Sequence, residues 1–243
     1  MGARDPNRGR GGRGRDRGRR SAPRTANHRG RRRHSASGTR GRFISLRRAL
    51  TKPHVRLVAI DDGRFRRTDR RAPICAVVVS LPDEVEAVRI GSVAVDGIDA
   101  TERIVALIEA TGHGEDLRAV LLDGTVVGGF NVVDLDRLHR ATRLPVICVT
   151  RREPDRVRIR RALVKWFPRD GRARWRKLAA HRLFPVPTGA LPIHASVVGA
   201  TRRDARALLA RATRRGYWPE PLRLAHLIAS ARARTVPWAR AKH

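Results

Sequence analysis

The sequence predicts a mixed α/β domain in which helices flank a central sheet, preceded by a disordered basic N-terminal tail. Three strand-like apolar segments come first, helix-like and strand-like segments alternate after them, and the start of the chain is too polar to build a core. The 243 residues leave room for one mid-sized domain beside such a tail. We therefore expect a tail over 1–45, a domain over 46–236 and a short basic tail over 237–243.

The three leading segments have the composition of strands. Val55 to Asp61 (VRLVAID) and Ile74 to Leu81 (ICAVVVSL) are rich in β-branched residues. Ala87 to Val95 alternates more loosely, and Asp96 and Gly97 after it form a turn signal.

The remaining elements alternate between helix and strand. In order, we predict a helix over 99–114, a strand over 117–123, a helix over 131–142, a strand over 144–149, a helix over 154–167, a strand over 193–198 and helices over 201–215 and 219–234. Three strands followed by this alternation is the order of the ribonuclease H-like fold. In that fold the first and fourth strands are neighbours.

The charge of the chain points to a polyanionic partner. The formal net charge is +32 and the pI is about 12.0, and nucleic acid is the commonest polyanion that so basic a protein meets. Residues 1–42 hold 15 arginines against two aspartates. This tail could be a non-specific nucleic-acid arm. Alternatively, it is dispensable, or part of it results from a mis-assigned translation start.

One segment reverses the sign of the charge. Residues 83–136 contain twelve acids and three arginines. An acidic segment in a basic chain suits a metal site that faces a phosphate backbone. The alternative is that acids such as Glu109, Glu115 and Asp116 only form an exposed helix face.

Several classes of protein are disfavoured. The two cysteines, Cys75 and Cys148, lie in apolar runs without CxxC or Cys/His spacing, so we expect reduced core residues. The sequence shows no apolar run of membrane-helix length and no signal-peptide core. These features predict a cytoplasmic protein without a membrane partner.

Acids occur where the predicted strands end. Asp61 and Asp62 close the first strand, Asp123 closes the fourth, and Glu102 lies in the first turn of the helix between them. In a ribonuclease H-like sheet these acids converge, and convergent carboxylates can hold Mg²⁺ or Mn²⁺. We predict Asp61, Glu102 and Asp123 as catalytic residues and metal ligands. Strand alternation sends Asp61 and Asp62 to opposite faces, and we select Asp61.

Each of these acids also has a structural explanation. Asp123 precedes Gly124 and could only form a turn. Glu102 could only complement the helix dipole. The order of all three together favours the catalytic interpretation.

The segment after Asp123 is rich in glycine. Gly128, Gly129 and Asn131 could form a tight loop where the backbone approaches nucleic acid. Equally, the loop could only lead into the next helix, with Asn131 as its N-cap. The histidines, including His226, are scattered, and the helix beginning near Pro219 is expected to pack structurally.

Four motifs resemble one known family. They are VRLVAIDDGRF (55–65), VDGIDATERI (95–104), LLDGTVVGGFNVVDLDRLHRATRLPVICVTRREPD (121–155) and PEPLRLAHLIAS (219–230). The family is the mostly archaeal endonuclease dU family, and the resemblance covers about residues 50–234. That family in turn resembles endonuclease V, a Mg²⁺-dependent nuclease of ribonuclease H-like fold.

The resemblance implies a Mg²⁺-dependent endonuclease that cuts DNA at deoxyuridine in DNA repair. The resemblance places the motif acids of endonuclease V on Asp61, Glu102 and Asp123 and its catalytic-pocket lysine near Arg151, a predicted nucleic-acid contact. The histidine-bearing DGxGxxHP stretch of endonuclease V is replaced here by DGTVVGGFN, which argues against inosine as the substrate.

Two other functions remain open at this point. The chain could be a noncatalytic nucleic-acid-binding protein, or an RNA-directed nuclease, on the same fold. The sequence leaves the oligomeric state open.

Overall fold

The computed structural model describes residues 45–189 and 191–235, so the predicted tails lie outside it apart from Ser45. The strands are β1 (Val55–Asp62), β2 (Arg71–Leu81), β3 (Glu84–Ala94), β4 (Val120–Asp123), β5 (Val126–Val127), β6 (Asn131–Val132), β7 (Val146–Thr150), β8 (Phe184–Val186) and β9 (Ile193–Val198). The helices are α1 (Leu46–Ala49), α2 (Ala100–Glu109), α3 (Leu135–Thr142), α4 (Arg156–Trp166), α5 (Gly171–Ala179), α6 (Arg202–Ala212) and α7 (Glu220–Thr235).

Seven strands form one mixed sheet in the order β3-β2-β1-β4-β7-β9-β8. Strands β1, β4 and β7 run parallel, while β2, β3, β8 and β9 pair antiparallel to their neighbours. The predicted fold class, a mixed sheet flanked by helices in the ribonuclease H-like order, is confirmed. The first and fourth strands are neighbours, as expected.

Alternating side chains of β1 enter two separate cores. Leu57 and Ala59 pack into a core that includes residues of α6 and α7, on what we call the α7 face. Val58 and Ile60 pack into a core that includes residues of α2 and α3, on what we call the α2 face. Because both faces are covered, residues 57–60 of β1 are all apolar and buried, without polar alternation.

Some elements differ from the sequence-based predictions. The predicted helix over 131–142 begins only at Leu135, because Asn131–Val132 pairs with β5 in a small hairpin. Helix α5 and strand β8 had not been predicted. The α5 sequence, GRARWRKLA, carries too few apolar residues to show a helical period.

Two expectations from composition can be compared with the structure. Cys75 and Cys148 are both buried and free, as predicted. No helix in residues 45–189 and 191–235 is long and apolar enough to cross a membrane.

Candidate active site

Two predicted acids meet at the carboxyl ends of neighbouring parallel strands. The β1–β4 register pairs Ile60 with Leu122, so Asp61 and Asp123 follow at corresponding positions. Leu121, two residues before Asp123, belongs to the same core as Ala59, which places both aspartates on the α7 face. Asp61 is only 4% exposed. The structure therefore brings together two of the three predicted carboxylates.

Burial makes it costly to ionise both acids at once. Desolvation, followed by the negative charges of Asp123 and Asp62, raises the pKa of Asp61 to about 9. Burial also raises the pKa of Asp123, against the opposing effects of Arg151, His226 and a hydrogen bond with Asp61. Without a cation the pair therefore retains a proton at neutral pH.

A histidine from the last helix completes this cluster. His226 Nδ1 lies 3.0 Å from Asp61 Oδ2, and His226 Nε2 lies 3.4 Å from Ser230 Oγ. The His226 side chain is 46% exposed, whereas that of Asp61 is 5% exposed. His226 was not among the predicted site residues, because the helix that carries it was expected to pack structurally. Its position within the family-like motif PEPLRLAHLIAS was the signal in the sequence that could have indicated a functional role for this histidine.

Helix α7 approaches β1 closely because Gly63 has no side chain. A Cβ atom at Gly63 would lie 2.3 Å from the carbonyl carbon and oxygen of Ala229. The backbone of α7 therefore occupies space that any other residue would fill, which sets His226 beside Asp61.

Arg151 is held from two sides beside the carboxylate pair. Its Nη1 lies 3.2 Å from Asp123 Oδ2, and its guanidinium carbon lies 3.8 Å from the centre of the Trp218 ring. The Arg151 side chain is still 49% exposed. It thus presents a positioned, partly open guanidinium beside the aspartate pair.

Asp62 points away from this cluster, as strand alternation predicted. Its Oδ2 accepts a hydrogen bond from the backbone N–H of Gly128 at 2.6 Å. Gly128 has a φ of +57°, and a Cβ there would lie 2.8 Å from Val93 Cγ2. Asp62 therefore anchors the glycine loop, and burial, against this hydrogen bond, raises its pKa.

The rest of the glycine loop is attached to the end of β3. The Phe130 N–H donates to Asp96 Oδ1 at 2.8 Å, and a Cβ at Gly129 would lie 2.3 Å from the same oxygen. The loop is thus fixed by two aspartates, Asp62 at the end of β1 and Asp96 in the turn after β3.

Asn131 has a structural role that differs from both predictions for it. Its Oδ1 accepts from Ala100 N at 3.0 Å, and its Nδ2 donates to Ala94 O and Asp99 Oδ1. The residue is completely buried, so no surface remains for nucleic acid. The prediction that Asn131 caps the next helix is wrong, because Asp134 is the N-cap of α3.

Glu102 is not brought to the aspartate pair. Thr101 and Ile104 of α2 are buried, and α2 packs on the α2 face, opposite Asp61. Glu102 projects outward, with its side chain 45% exposed, and forms an ion pair with Arg137 of α3. The expectation that three carboxylates converge is met only for Asp61 and Asp123.

The donor set suits a metal that needs few protein ligands. Among the residues described, no group of three His, Cys, Asp or Glu side chains could hold a metal ion. Mg²⁺, however, is commonly bound by one or two carboxylates, with water and substrate phosphate completing its shell. The Asp61–Asp123 pair fits that demand, and a cation would offset the cost of ionising both acids.

Known proteins are similar to this chain in sequence and in fold. A family model described as endonuclease dU matches residues 53–233. A UPF0215 protein from Methanothermobacter thermautotrophicus is 40% identical over 181 residues, which cover 74% of this chain and 88% of that protein.

Two solved structures share the fold. A protein of unknown function from Archaeoglobus fulgidus is 29% identical, with a TM-score of 0.66 over 73% of this chain and 97% of that one. The catalytic domain of human endonuclease V is 19% identical, with a TM-score of 0.51 over 78% of this chain and 86% of that one. The family match spans most of the described structure and includes Asp61, Asp123 and His226. The chain belongs to the endonuclease dU family, which supports a nuclease as its class of protein.

Proposed function

We propose that this protein is a divalent-metal-dependent endonuclease that hydrolyses DNA at deoxyuridine and acts in DNA repair. The observation that carries the proposal is the buried Asp61–Asp123 pair at the carboxyl ends of β1 and β4. Two buried acids side by side cost stability unless they bind something. The family name supports a nuclease that acts on deoxyuridine.

The proposed metal is Mg²⁺ or Mn²⁺, held by Asp61 and Asp123. When bound, such an ion activates water and stabilises negative charge on a scissile phosphate. The two aspartates would supply the negative charge that holds such an ion at the carboxyl ends of β1 and β4.

His226 is the proposed proton carrier. The Asp61 contact orients the imidazole, much as a carboxylate orients histidine in other hydrolytic sites. Because the ring is half exposed next to the carboxylates, it can exchange a proton with a group bound there.

Arg151 is the proposed phosphate contact. Guanidinium groups bind phosphate oxygens well, and stacking on Trp218 reduces the freedom that Arg151 would lose on binding. The guanidinium lies beside Asp123, so it would contact a phosphate bound next to that carboxylate.

The decisive experiment incubates the full chain and Mg²⁺ with a DNA strand containing one deoxyuridine. The matched substrates carry thymidine, or a ribose, at the same position. We expect cleavage at deoxyuridine, lost in Asp123→Asn and retained in Asp116→Asn, a matched change at an exposed acid. Cleavage only at the ribose would favour an RNA-directed nuclease. Salt-sensitive binding without cleavage under any metal would favour a noncatalytic binding protein.

A further inference from the structure

A cationic groove lies between α4 and α5, outside the cluster described above. The two helices leave an open groove of about 970 Å³. Six of its nine lining residues are basic: Arg156, Arg160, Arg161, Lys165, Arg172 and Arg176. The other three are Val157, Val164 and Trp175, so no acid lines the groove.

The positive charge of this groove is not neutralised within the domain. In the part of the chain that the structure describes, Arg160, Arg161 and Arg172 make no ion pair with an acid. Arg156 and Arg160 are four residues apart on α4, as are Arg172 and Arg176 on α5. Like charges at this spacing destabilise a helix. A groove that costs helix stability and, among the described residues, offers these three arginines no acid is suited to an external polyanion.

Aromatic and apolar surface accompanies the charge. Trp175 lies in the groove, with the guanidinium carbon of Arg156 5.6 Å from its ring centre. Val157 is 60% exposed and Trp166, at the end of α4, is 64% exposed. Aromatic rings within a basic groove are the feature on which unpaired bases stack, whereas a duplex offers such a groove mainly phosphates.

A smaller cavity beside the groove reaches the residues that follow Asp123. Arg156 lines the groove and also lines this cavity of about 150 Å³, which includes Gly124 and Thr125. These residues directly follow Asp123. The groove therefore comes near the carboxyl end of β4, on the α2 face, where Cys148 also lines the smaller cavity.

We propose that the α4–α5 groove binds a single-stranded segment of the nucleic-acid substrate, with phosphates on its arginines and an unpaired base on Trp175. This inference rests on the proposed function. It adds that the substrate binds along α4 and α5 and that the bound segment is single-stranded. The groove would favour sites in unpaired DNA or sites that open on binding.

The test measures binding without cleavage. The full chain in EDTA is titrated against a fluorescent single strand at several salt concentrations. Arg160→Gln/Arg172→Gln removes two groove charges, and Arg203→Gln/Arg215→Gln removes two exposed charges elsewhere. Both variants keep the arginine-rich N-terminal segment, so its contribution to binding cancels.

We expect the groove variant to bind about 10-fold more weakly and the salt slope to fall by about 1.4, at about 0.7 per lost phosphate contact. The control should change less than about 2-fold, because its charges lie off the proposed path. Trp175→Ala should weaken binding about 10-fold, whereas Trp175→Phe, which keeps a stacking ring, should retain most of the affinity. Circular dichroism checks that each variant is folded.

Wild-type binding and salt slope in the groove variant would overturn the inference, whether or not the protein cleaves DNA. Equal dependence on Trp175 for duplex DNA would overturn the single-strand assignment. Trp175-dependent binding of anionic lipid vesicles, with no effect on DNA binding, would show that the groove serves a membrane surface. Absence of cleavage with intact groove-dependent binding would reject only the proposed activity.

Discussion

The imidazole of His226 lies 3.0 Å from the Asp61 carboxylate, although 165 positions of sequence separate them. The contact joins the last helix to the first strand, and Gly63 permits it by leaving space for the backbone at Ala229. Core packing and the candidate chemistry therefore depend on the same helix.

This relationship predicts a specific effect of removing the imidazole. His226→Ala should lower the cleavage rate about 100-fold, since a positioned acid or base typically contributes that much. Mn²⁺ affinity should change much less, because Asp61 and Asp123 remain. Single-turnover cleavage and metal titration measure the two effects. Leu227→Ala, at an exposed position of the same helix, is the control, and an equal loss in that variant would contradict a proton-transfer role for His226.

The close approach at Gly63 gives a prediction about stability. Gly63→Ala should lower the free energy of unfolding by about 1–3 kcal/mol, because its Cβ would overlap the backbone of α7. Gly114→Ala is the control: a Cβ there meets nothing within 4 Å, so its effect should stay within about 0.5 kcal/mol. Urea unfolding measures both. Equal stability of the two variants would show that α7 does not pack as described.

The pKa of Asp61 predicts how stability depends on pH in EDTA. Its folded pKa, raised to about 9, exceeds its ordinary value of 3.8. Between these values the folded protein holds a proton that the unfolded chain has released, so the free energy of unfolding falls as pH rises. Urea unfolding at about pH 5 and about pH 9 measures the slope, which is at most ~1.4 kcal/mol per pH unit for one proton.

Asp61→Asn should remove most of this slope and stabilise the metal-free protein near neutral pH. Some slope should remain, because burial also raises the pKa of Asp62 and of Asp123. An unchanged slope in the variant would mean that Asp61 is ionised in the folded protein without metal.

Glu102 is a residue for which the sequence-based prediction and the structure disagree, and this disagreement can be tested. Because Glu102 pairs with Arg137 on the surface, Glu102→Gln should cost at most ~1 kcal/mol of stability. Its cleavage rate should stay close to that of the wild type. A loss as large as that of Asp123→Asn would show that Glu102 reaches the site when substrate is bound.

The central strands could be predicted because short apolar stretches of the sequence are enough to identify them. Apolar runs such as VRLVAID have to be covered on both faces, and an acid at the end of such a run marks the edge of the sheet. The order of the predicted elements indicated that β1 and β4 are neighbours. The prediction that Asp61 and Asp123 lie close together followed from this.

The remaining parts depend on packing that no local pattern encodes. The position of His226 follows from how α7 crosses β1. For Glu102 a local signal did exist: the buried positions Thr101 and Ile104 of α2 turn residue 102 towards solvent. The three polar contacts of Asn131 join segments distant in sequence and could not be foreseen.

The most direct test of the aspartate pair is Mn²⁺ binding followed by electron paramagnetic resonance of the free ion. The wild type and the surface control Asp116→Asn should bind Mn²⁺ with the same affinity. Asp61→Asn and Asp123→Asn should each lose most of it, because each removes one of two carboxylate ligands. Undiminished Mn²⁺ binding in both aspartate variants would contradict a metal site at the ends of β1 and β4.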